Sequence, residues 1–269
     1  MLEQLVQGDD IELAIEEAIS EFHGVGPVNP ATLEKLSLIK KYHNNVFMEY
    51  EGKILSSMGL FYKLGEPRSF MEAIYRDLSE TIEDQYGRSF TPMQASAYKS
   101  ISENHLYSFS APTSTGKSHL FRELIKEYDN DIIIVVPSRA LIAEFYAAVI
   151  GLVEKDVLVL QFVENVNQHN ASRRIFIITP ERGVEIFKYA DVFDVGLFLF
   201  DEAQISEEPI RGISFDAFVR RSEKIFPNAK KVFAHPFIAN PEAQFLKHGF
   251  QNDLKSFSFT QSNVGKIYV

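Results

Sequence analysis

The stretch LYSFSAPTSTGKS, residues 106–118, decides the fold class. It begins with an apolar run, continues through a loop of small residues and ends in Gly116-Lys117-Ser118, after which His119–Tyr128 has a helical pattern. The backbone N–H groups of such a loop, together with the positive end of the following helix, can surround phosphate oxygens. The order of strand, small-residue loop, Gly-Lys-Ser and helix therefore predicts a phosphate-binding P-loop, with Ala111 in place of its first glycine.

Each residue type of this loop suits one task in binding a triphosphate with Mg²⁺. Gly116 lets the backbone approach the phosphates, Lys117 neutralises the β and γ oxygens, and Ser118 is a ligand of Mg²⁺. Thr113, Ser114 and Thr115 complete the expected nucleotide-binding set. The alternative is a helix N-terminus with a solvated lysine, but the position between an apolar strand and a helix argues against it.

A second motif, which is acidic, also indicates binding of a nucleotide with Mg²⁺. The buried-type strand Val195–Phe200 is followed directly by Asp201-Glu202-Ala203-Gln204, with Asp201 83 residues after Ser118. In a P-loop NTPase an acid at this place binds Mg²⁺ through water, and an adjacent Glu polarises the attacking water. An acidic helix N-cap is the alternative interpretation of the same residues. The upstream P-loop makes the catalytic interpretation the stronger one.

Short apolar runs rich in Val, Ile and Phe alternate with helix-length segments from about residue 86 onward. The runs are Leu106–Phe109, Asp131–Val136, Val157–Phe162, Arg174–Ile178, Val195–Phe200, Lys231–Ala234 and, as a weaker candidate, Ser256–Phe259. This pattern predicts an α/β fold with a mostly parallel sheet covered by helices on both faces. Ligands bind such sheets at the carboxyl ends of the strands.

The front of the chain has a different pattern. Residues 9–22, Thr32–Tyr50 and Ser69–Gln85 have apolar residues at helical spacing, separated by Gly and Pro clusters. Residues 1–85 contain 16 Asp and Glu against 7 Lys and Arg, whereas residues 86–269 have a net charge of −1. We therefore expect an acidic α-helical N-terminal domain over 1–85 and an ATP-binding α/β domain over 86–269. Residues 1–85 could be a helical bundle that packs on the α/β domain, or a surface that docks a protein or mimics nucleic acid; the acidic composition is compatible with both.

Composition excludes several classes of protein. The 269 residues are 45% apolar and 24% charged, which is typical of a globular protein rather than a disordered one. The absence of cysteine excludes disulfide frameworks, zinc–thiolate sites and thiol catalysis. The N-terminus has no basic signal region, and no apolar run reaches the ~20 residues of a membrane span. We expect a cytoplasmic protein without a membrane partner.

Residues 90–241 resemble the first RecA-like domain of superfamily 2 helicases of the DEAD/DEAH type, with DEAQ as the variant. The resemblance rests on the order and spacing of five motifs, which is more specific than any one of them. The motifs are Phe90-Thr91-Pro92-Met93-Gln94, Ala111–Ser118, Val136-Pro137-Ser138-Arg139-Ala140-Leu141, Ile178-Thr179-Pro180-Glu181-Arg182 and Asp201-Glu202-Ala203-Gln204.

The resemblance implies a role for each of these residues. Lys117, Asp201, Glu202 and Gln204 would be catalytic, Ser118 and Asp201 would hold Mg²⁺, and Gln94 would contact the adenine of ATP. A nucleic-acid backbone would be held by Pro137, Ser138, Arg139, Thr179, Pro180 and Arg182. Hydroxyls, backbone N–H groups and a few arginines at strand ends suit phosphate contacts without base reading. A surface salt bridge remains the alternative for Arg139 and Arg182, and a helix-surface position for Gln94.

Two departures from the family limit what it implies. The usual Ser-Ala-Thr motif aligns here with Ala234-His235-Pro236-Phe237, so its hydroxyls are missing. His235 either replaces one of their hydrogen bonds or is a structural histidine. The family also uses a second RecA-like domain that supplies an arginine finger, whereas 28 residues follow Pro241. We expect that the chain is a fragment or that a partner completes the site.

Three functions remain open from the sequence. The first is the ATP- and Mg²⁺-binding motor domain of a superfamily 2 DNA or RNA helicase or translocase. The second is a nucleotide-responsive binding or regulatory module with little or no hydrolysis, which the altered Ala234–Phe237 motif favours. The third is a nucleotide kinase or other P-loop enzyme, against which the Gln94 and Thr179–Arg182 motifs argue.

Overall fold

The computed structural model describes residues 7–8, 10–25, 29–111, 116–163, 171–236 and 240–250. The described residues fall into two compact units, one within Met1–Ala97 and the other within Tyr98–Thr260. The boundary expected between residues 85 and 86 stays a prediction. None of the described helices is long and apolar enough to cross a membrane.

The first unit is helical. Its elements are α1 (Ile11–Val25), α2 (Pro30–Tyr42), α3 (Asn44–Ser57), a 3₁₀ turn (Phe61–Lys63), α4 (Phe70–Tyr86) and the start of α5 (Pro92–Glu103). Caps fix the ends of α4: the Ser69 side chain accepts a hydrogen bond from the Glu72 N–H, and Gly87 closes the helix at φ 64°. The apolar stripes of α1, α2 and α3 form one core that includes Ile15, Phe22, Ile39 and Ile54.

The prediction of one continuous helical pattern over Thr32–Tyr50 is wrong at His43. This residue has φ −132° and ψ 50°, so α2 ends there and α3 begins at the next residue. Both helices keep apolar side chains in the same core, Ile39 from α2 and Phe47 from α3. The periodicity continues because both helices bury one face, although the backbone is interrupted between them.

The second unit is built on six parallel strands in the order β1-β6-β5-β2-β4-β3. The strands are β1 (Leu106–Ser110), β2 (Asp131–Val135), β3 (Val157–Leu160), β4 (Arg173–Ile178), β5 (Val195–Phe200) and β6 (Lys230–His235). The connecting helices are α6 (Lys117–Glu127), α7 (Arg139–Ile150), α8 (Pro180–Gly183), α9 (Arg211–Ile225) and α10 (Ala243–His248), with 3₁₀ turns at Val184–Tyr189 and Ala203–Glu207. The predicted α/β fold with a parallel sheet is confirmed. The weaker strand candidate Ser256–Phe259 lies outside the described residues.

Both faces of the central strands are buried, which explains their continuous apolar sequence. In β2, Ile133 and Val135 belong to a large core cluster, and the alternate residues Ile132 and Ile134 are also fully buried. The large cluster contains Phe215 and Phe218 of α9, which pack against aromatic side chains of β5. A strand buried on both faces cannot show a polar alternation.

The predicted strand ends coincide with the observed ones or differ from them by at most two residues. The largest difference is at β3, which ends at Leu160 rather than at Phe162. Phe162 instead lies beyond the strand and is half exposed. The strand ends directly before the polar residue Gln161, which interrupts the apolar run ahead of Phe162.

Candidate nucleotide site and nucleic-acid face

The carboxyl ends of β1, β5 and β6 bring the predicted nucleotide residues to one edge of the sheet. β6 lies between β1 and β5, and all three strands run in the same direction. The P-loop residues follow β1, Asp201 follows β5, and His235 is the last residue of β6. Parallel sheets gather ligands at this edge.

Gly116 and Lys117 begin the helix that follows the P-loop. Gly116 has φ 80°, a backbone conformation that glycine adopts without steric cost. The Lys117 Nζ donates a hydrogen bond of 2.8 Å to the Ala111 carbonyl oxygen. Ser118 is exposed in the first turn of α6, whereas the predicted nucleotide ligands Thr113, Ser114 and Thr115 lie outside the described residues.

Lys117 is a buried cation beside two carboxylates. Its side chain is almost fully buried, and its Nζ lies 3.9 Å from the Glu202 Oε1. Burial lowers the pKa of Lys117, while the negative charges of Glu202 and Asp201 act in the opposite direction. A positive charge held in this setting attracts an anionic ligand strongly, because little water screens it.

Asp201 is a buried carboxylate with an unused acceptor. Its backbone N–H donates to the Val135 carbonyl oxygen at 2.9 Å, which fixes it to the end of β2. Its Oδ1 has no hydrogen-bond partner among the described residues. Burial raises the pKa of Asp201 to about 6; Lys117 lowers it and Glu202 raises it further. Such a carboxylate oxygen can bind a cation or accept a hydrogen bond.

Glu202 is held in an unusual backbone conformation. It has φ 51° and ψ 46°, the left-handed region that a residue with a Cβ seldom adopts. Its Oε2 accepts a hydrogen bond from the Gln204 Nε2, and the Gln204 Oε1 is buried without a partner among the described residues. The turn thus directs Glu202 toward Lys117, and strained backbone of this kind is often found at functional sites.

The side chains at this edge of the sheet suit a nucleotide with its Mg²⁺. A nucleotide-bound Mg²⁺ takes one or two protein oxygens, since phosphates and water supply the others. The Asp201 Oδ1, which has no partner among the described residues, is such an oxygen, and the hydroxyl of Ser118, the second residue of α6, is another candidate. No group of three or more acidic or histidine side chains able to hold a metal occurs in the part of the chain that the structure describes.

His235 stands where the resembled family has hydroxyl residues. It is fully buried, and its Nε2 lies 3.0 Å from the Ser108 Oγ, which itself donates to the Pro241 carbonyl oxygen at 2.7 Å. The Ser108 oxygen therefore accepts from Nε2–H, which leaves Nδ1 unprotonated and without a partner among the described residues. Burial lowers the pKa of His235 to about 4, and the charge of Lys117 lowers it as well. The observed bond goes to β1, as expected of a structural histidine.

Gln94 makes local hydrogen bonds at the start of α5. Its side-chain oxygen accepts from the Thr91 N–H at 3.0 Å, and its own N–H lies 3.3 Å from the Thr91 Oγ. This reciprocal arrangement is a capping box, and it buries Gln94. Gln94 belongs to the unit within Met1–Ala97. Its contact with adenine stays a prediction.

The predicted nucleic-acid residues follow β2 and β4, on the other half of the same edge. Ser138 caps α7 by accepting from the Leu141 N–H at 3.3 Å, and Arg139 is exposed. Thr179 is buried at the start of α8, with Pro180 as the first helical residue. The structure places these residues on neighbouring strands, because β2 pairs with β4.

Two residues of this half of the edge were missed from the sequence. Arg211 of α9 donates through Nη2 to the Pro137 carbonyl oxygen, so this carbonyl already has a partner. Phe162 lies under the guanidinium of Arg182, 4.7 Å from the ring centroid to Cζ. Neither contact has a sequence signal, since each joins residues that only the folded sheet brings together.

Comparison with known proteins identifies the family. The model of the DEAD/DEAH box helicase family matches residues 91–234, more than half of the chain, and the chain belongs to this family. The parallel sheet and the P-loop fit the RecA-like, ATP-binding helicase domain that this family defines. A comparison with proteins of curated function gives no match.

Solved helicase structures resemble the chain at low identity. The UvsW helicase from bacteriophage T4 is 15% identical, with a TM-score of 0.43 over 62% of this chain and 58% of that one. The DUF1998 helicase MrfA bound to DNA is 14% identical, with a TM-score of 0.48 over 69% of this chain and 29% of that one. A hypothetical ATP-dependent RNA helicase from Sulfolobus tokodaii is 16% identical, with a TM-score of 0.48 over 68% and 57%. This chain therefore spans 29–58% of these helicases.

Proposed function

We propose that the chain is the ATP-binding motor domain of a superfamily 2 helicase or translocase, and that it uses ATP hydrolysis with Mg²⁺ to act on DNA or RNA. The observation that carries the proposal is the cluster of buried Lys117 and Asp201 with partly buried Glu202 at the carboxyl edge of the sheet. The match to the DEAD/DEAH box family over residues 91–234 supports the same activity.

Each residue of the cluster has a distinct part in this proposal. Lys117 exchanges its bond to the Ala111 carbonyl for the β and γ oxygens of ATP. Asp201 and Ser118 would hold the Mg²⁺, which would neutralise charge on the phosphates. Glu202, oriented by the Gln204 Nε2, accepts a hydrogen bond from the attacking water and takes its proton.

The charges of the three side chains affect one another. Asp201 and Glu202 repel one another, and Lys117 partly compensates both. A bound cation would stabilise ionised Asp201, whose pKa of about 6 leaves a minor fraction of this carboxyl protonated near neutral pH. ATP with Mg²⁺ thus supplies negative charge for Lys117 and positive charge for Asp201.

Nucleic acid and a second RecA-like domain are the proposed partners. Hydroxyl, backbone N–H and cationic groups for phosphate oxygens come from Ser138, Arg139, Thr179 and Arg182. Pro137 and Pro180 have no N–H to donate and shape the turns that position these residues. The second domain, from a longer chain or a separate one, brings an arginine that stabilises the transition state. We also propose that residues 1–85 form an acidic helical domain and that Gln94 contacts adenine.

A regulatory module with little or no hydrolysis is the second candidate. The observation that favours it is the bond from His235 to Ser108, at the place where the family has hydroxyls. A motor whose nucleotide site is weakly linked to the nucleic-acid face binds ATP without efficient turnover. Measured hydrolysis by the longest natural form would eliminate this candidate.

The direct test is ATP binding by isothermal calorimetry with Mg²⁺ present. Lys117→Ala should remove most of the affinity because it deletes the buried cation. Lys126→Ala is the matched control, since Lys126 lies on the same helix, is exposed and pairs with Glu123. The control should bind like the wild type. Equal affinity of Lys117→Ala and Lys126→Ala would refute the assignment of the site.

A further inference from the structure

Phe162 is an exposed aromatic residue in a unit that buries most of its phenylalanines. It lies two residues beyond β3 and is 51% exposed. Phe176 of the neighbouring strand and Phe198 of β5 are fully buried by contrast. A single exposed apolar residue needs no explanation by itself. What distinguishes Phe162 is the residue that lies over it.

The guanidinium of Arg182 lies over one face of the Phe162 ring. Its Cζ is 4.7 Å from the ring centroid, well inside the ~6 Å range of cation–π attraction. Arg182 comes from α8 after β4, and β3 pairs with β4, with Leu160 opposite Phe176. Two neighbouring strand ends therefore bring a guanidinium and an aromatic ring together.

A hollow adjoins this pair. It has a volume of about 330 Å³ and is lined by Tyr146, Val159, Leu160, Gln161 and Phe162. This volume lies at the lower end of the range for ligand pockets, and a flat heterocycle fits within it. Tyr146 supplies a second aromatic side chain. The lining is thus aromatic and apolar, with one amide that can hydrogen-bond to a base edge.

We propose that Phe162 is a stacking platform for one base of single-stranded nucleic acid, which Arg182 completes by its own plane and charge. Bases stack on aromatic rings and on guanidinium planes, and this stacking tolerates any base. The platform stands beside Thr179 and Pro180, so a strand whose phosphates lie along this face brings a base to it. In a duplex the bases are already stacked on each other, so the site selects single strands. The inference rests on the proposed nucleic-acid binding of the same face.

The lack of tryptophan in the chain offers a site-specific test. In Phe162→Trp the introduced indole is the sole tryptophan, and a base stacked on it should quench its fluorescence strongly. A 12-nucleotide oligo-dT or oligo-U should quench, whereas an abasic strand of equal length should not. Phe70→Trp is the matched control, since Phe70 is 80% exposed and lies in the other unit. Its fluorescence should not respond to either strand.

Affinity measured by fluorescence anisotropy completes the test. Phe162→Ala should weaken binding of the base-containing strand by about 5–150-fold, the range for loss of one stacked base. It should leave the binding of the abasic strand unchanged, and Phe162→Tyr should keep most of the wild-type affinity. Normal ATP binding by each variant shows that the domain is folded.

The outcomes separate this inference from the proposed function. If the wild type binds strands but Phe162→Ala binds them equally well, the platform is refuted while the motor assignment stands. An equal loss for base-containing and abasic strands would also refute it, because Arg182 would then act through phosphate alone. If the wild type binds no strand, both proposals fail.

Discussion

Replacing Asp201 by asparagine should stabilise the protein and destroy its Mg²⁺-dependent function. In the folded chain burial raises the pKa of this carboxyl from 3.8 to about 6. An acid whose folded pKa is raised costs stability as the pH rises through the interval between the two values. The cost is absent below pH 3.8 and complete above pH 6. Asp201→Asn removes it and keeps similar volume.

The shift sets the size of the effect. A difference of about 2 pKa units corresponds to about 3 kcal/mol at pH 8, since one unit is worth about 1.4 kcal/mol. At pH 5 the same linkage gives about 1.5 kcal/mol. For a unit of this size 1 kcal/mol moves the melting temperature by roughly 2–4 °C. Asp201→Asn should therefore melt roughly 6–12 °C higher than the wild type at pH 8, and about half as much higher at pH 5.

Differential scanning fluorimetry at pH 5 and pH 8 measures this directly, with Asp191→Asn at an exposed position as the control. The control should show no comparable gain. Added ATP with Mg²⁺ should raise the melting temperature of the wild type but hardly that of Asp201→Asn, because ligand binding to the folded state is what stabilises it. An Asp201→Asn variant that is less stable at pH 8, or whose gain does not grow with pH, would refute the reasoning.

Three other substitutions probe the same edge of the sheet. Gly183→Ala should cost about 1–3 kcal/mol, because the new Cβ would lie 2.4 Å from the ring of Phe218; an unchanged melting temperature would contradict this packing. Glu202→Gly should relieve about 1–2 kcal/mol of left-handed backbone strain and so raise the melting temperature, while it lowers ATP turnover. A lower melting temperature would contradict this, because the contacts of the Glu202 side chain would then outweigh the strain. His235→Ala should cost about 2–4 kcal/mol through lost volume and the lost bond to Ser108. The pKa of His235 is about 4 in the folded protein and 6.5 in the unfolded chain, so protonation of the unfolded chain destabilises the wild type as the pH falls below 6.5. The difference in melting temperature between the wild type and His235→Ala should therefore narrow from pH 8 to pH 5.

The sheet could be predicted from the sequence because its central strands are buried on both faces. Val195–Phe200 coincides with β5, and each of the other five described runs lies within two residues of its strand. Asp201 and Lys117 could be assigned to one site since parallel strands share a carboxyl edge. The break at His43 could not be predicted, because the core pattern continues through α2 and α3.

The parts that escaped prediction depend on tertiary register and burial. The stacking of Arg182 on Phe162 follows from the pairing of β3 with β4, which no local pattern encodes. The raised pKa of Asp201 comes from burial by the whole sheet. The bond between His235 and Ser108 joins residues 127 positions apart, so the sequence left the role of this histidine open.

The most direct test of the central claim is ATP turnover by the longest natural form of this protein, with and without single-stranded DNA and RNA, beside the chain of 269 residues. The account predicts turnover in the long form that nucleic acid stimulates and that Lys117→Ala abolishes, with little turnover by the shorter chain. ATP binding without turnover in the long form, or stimulated turnover that survives Lys117→Ala, would contradict it.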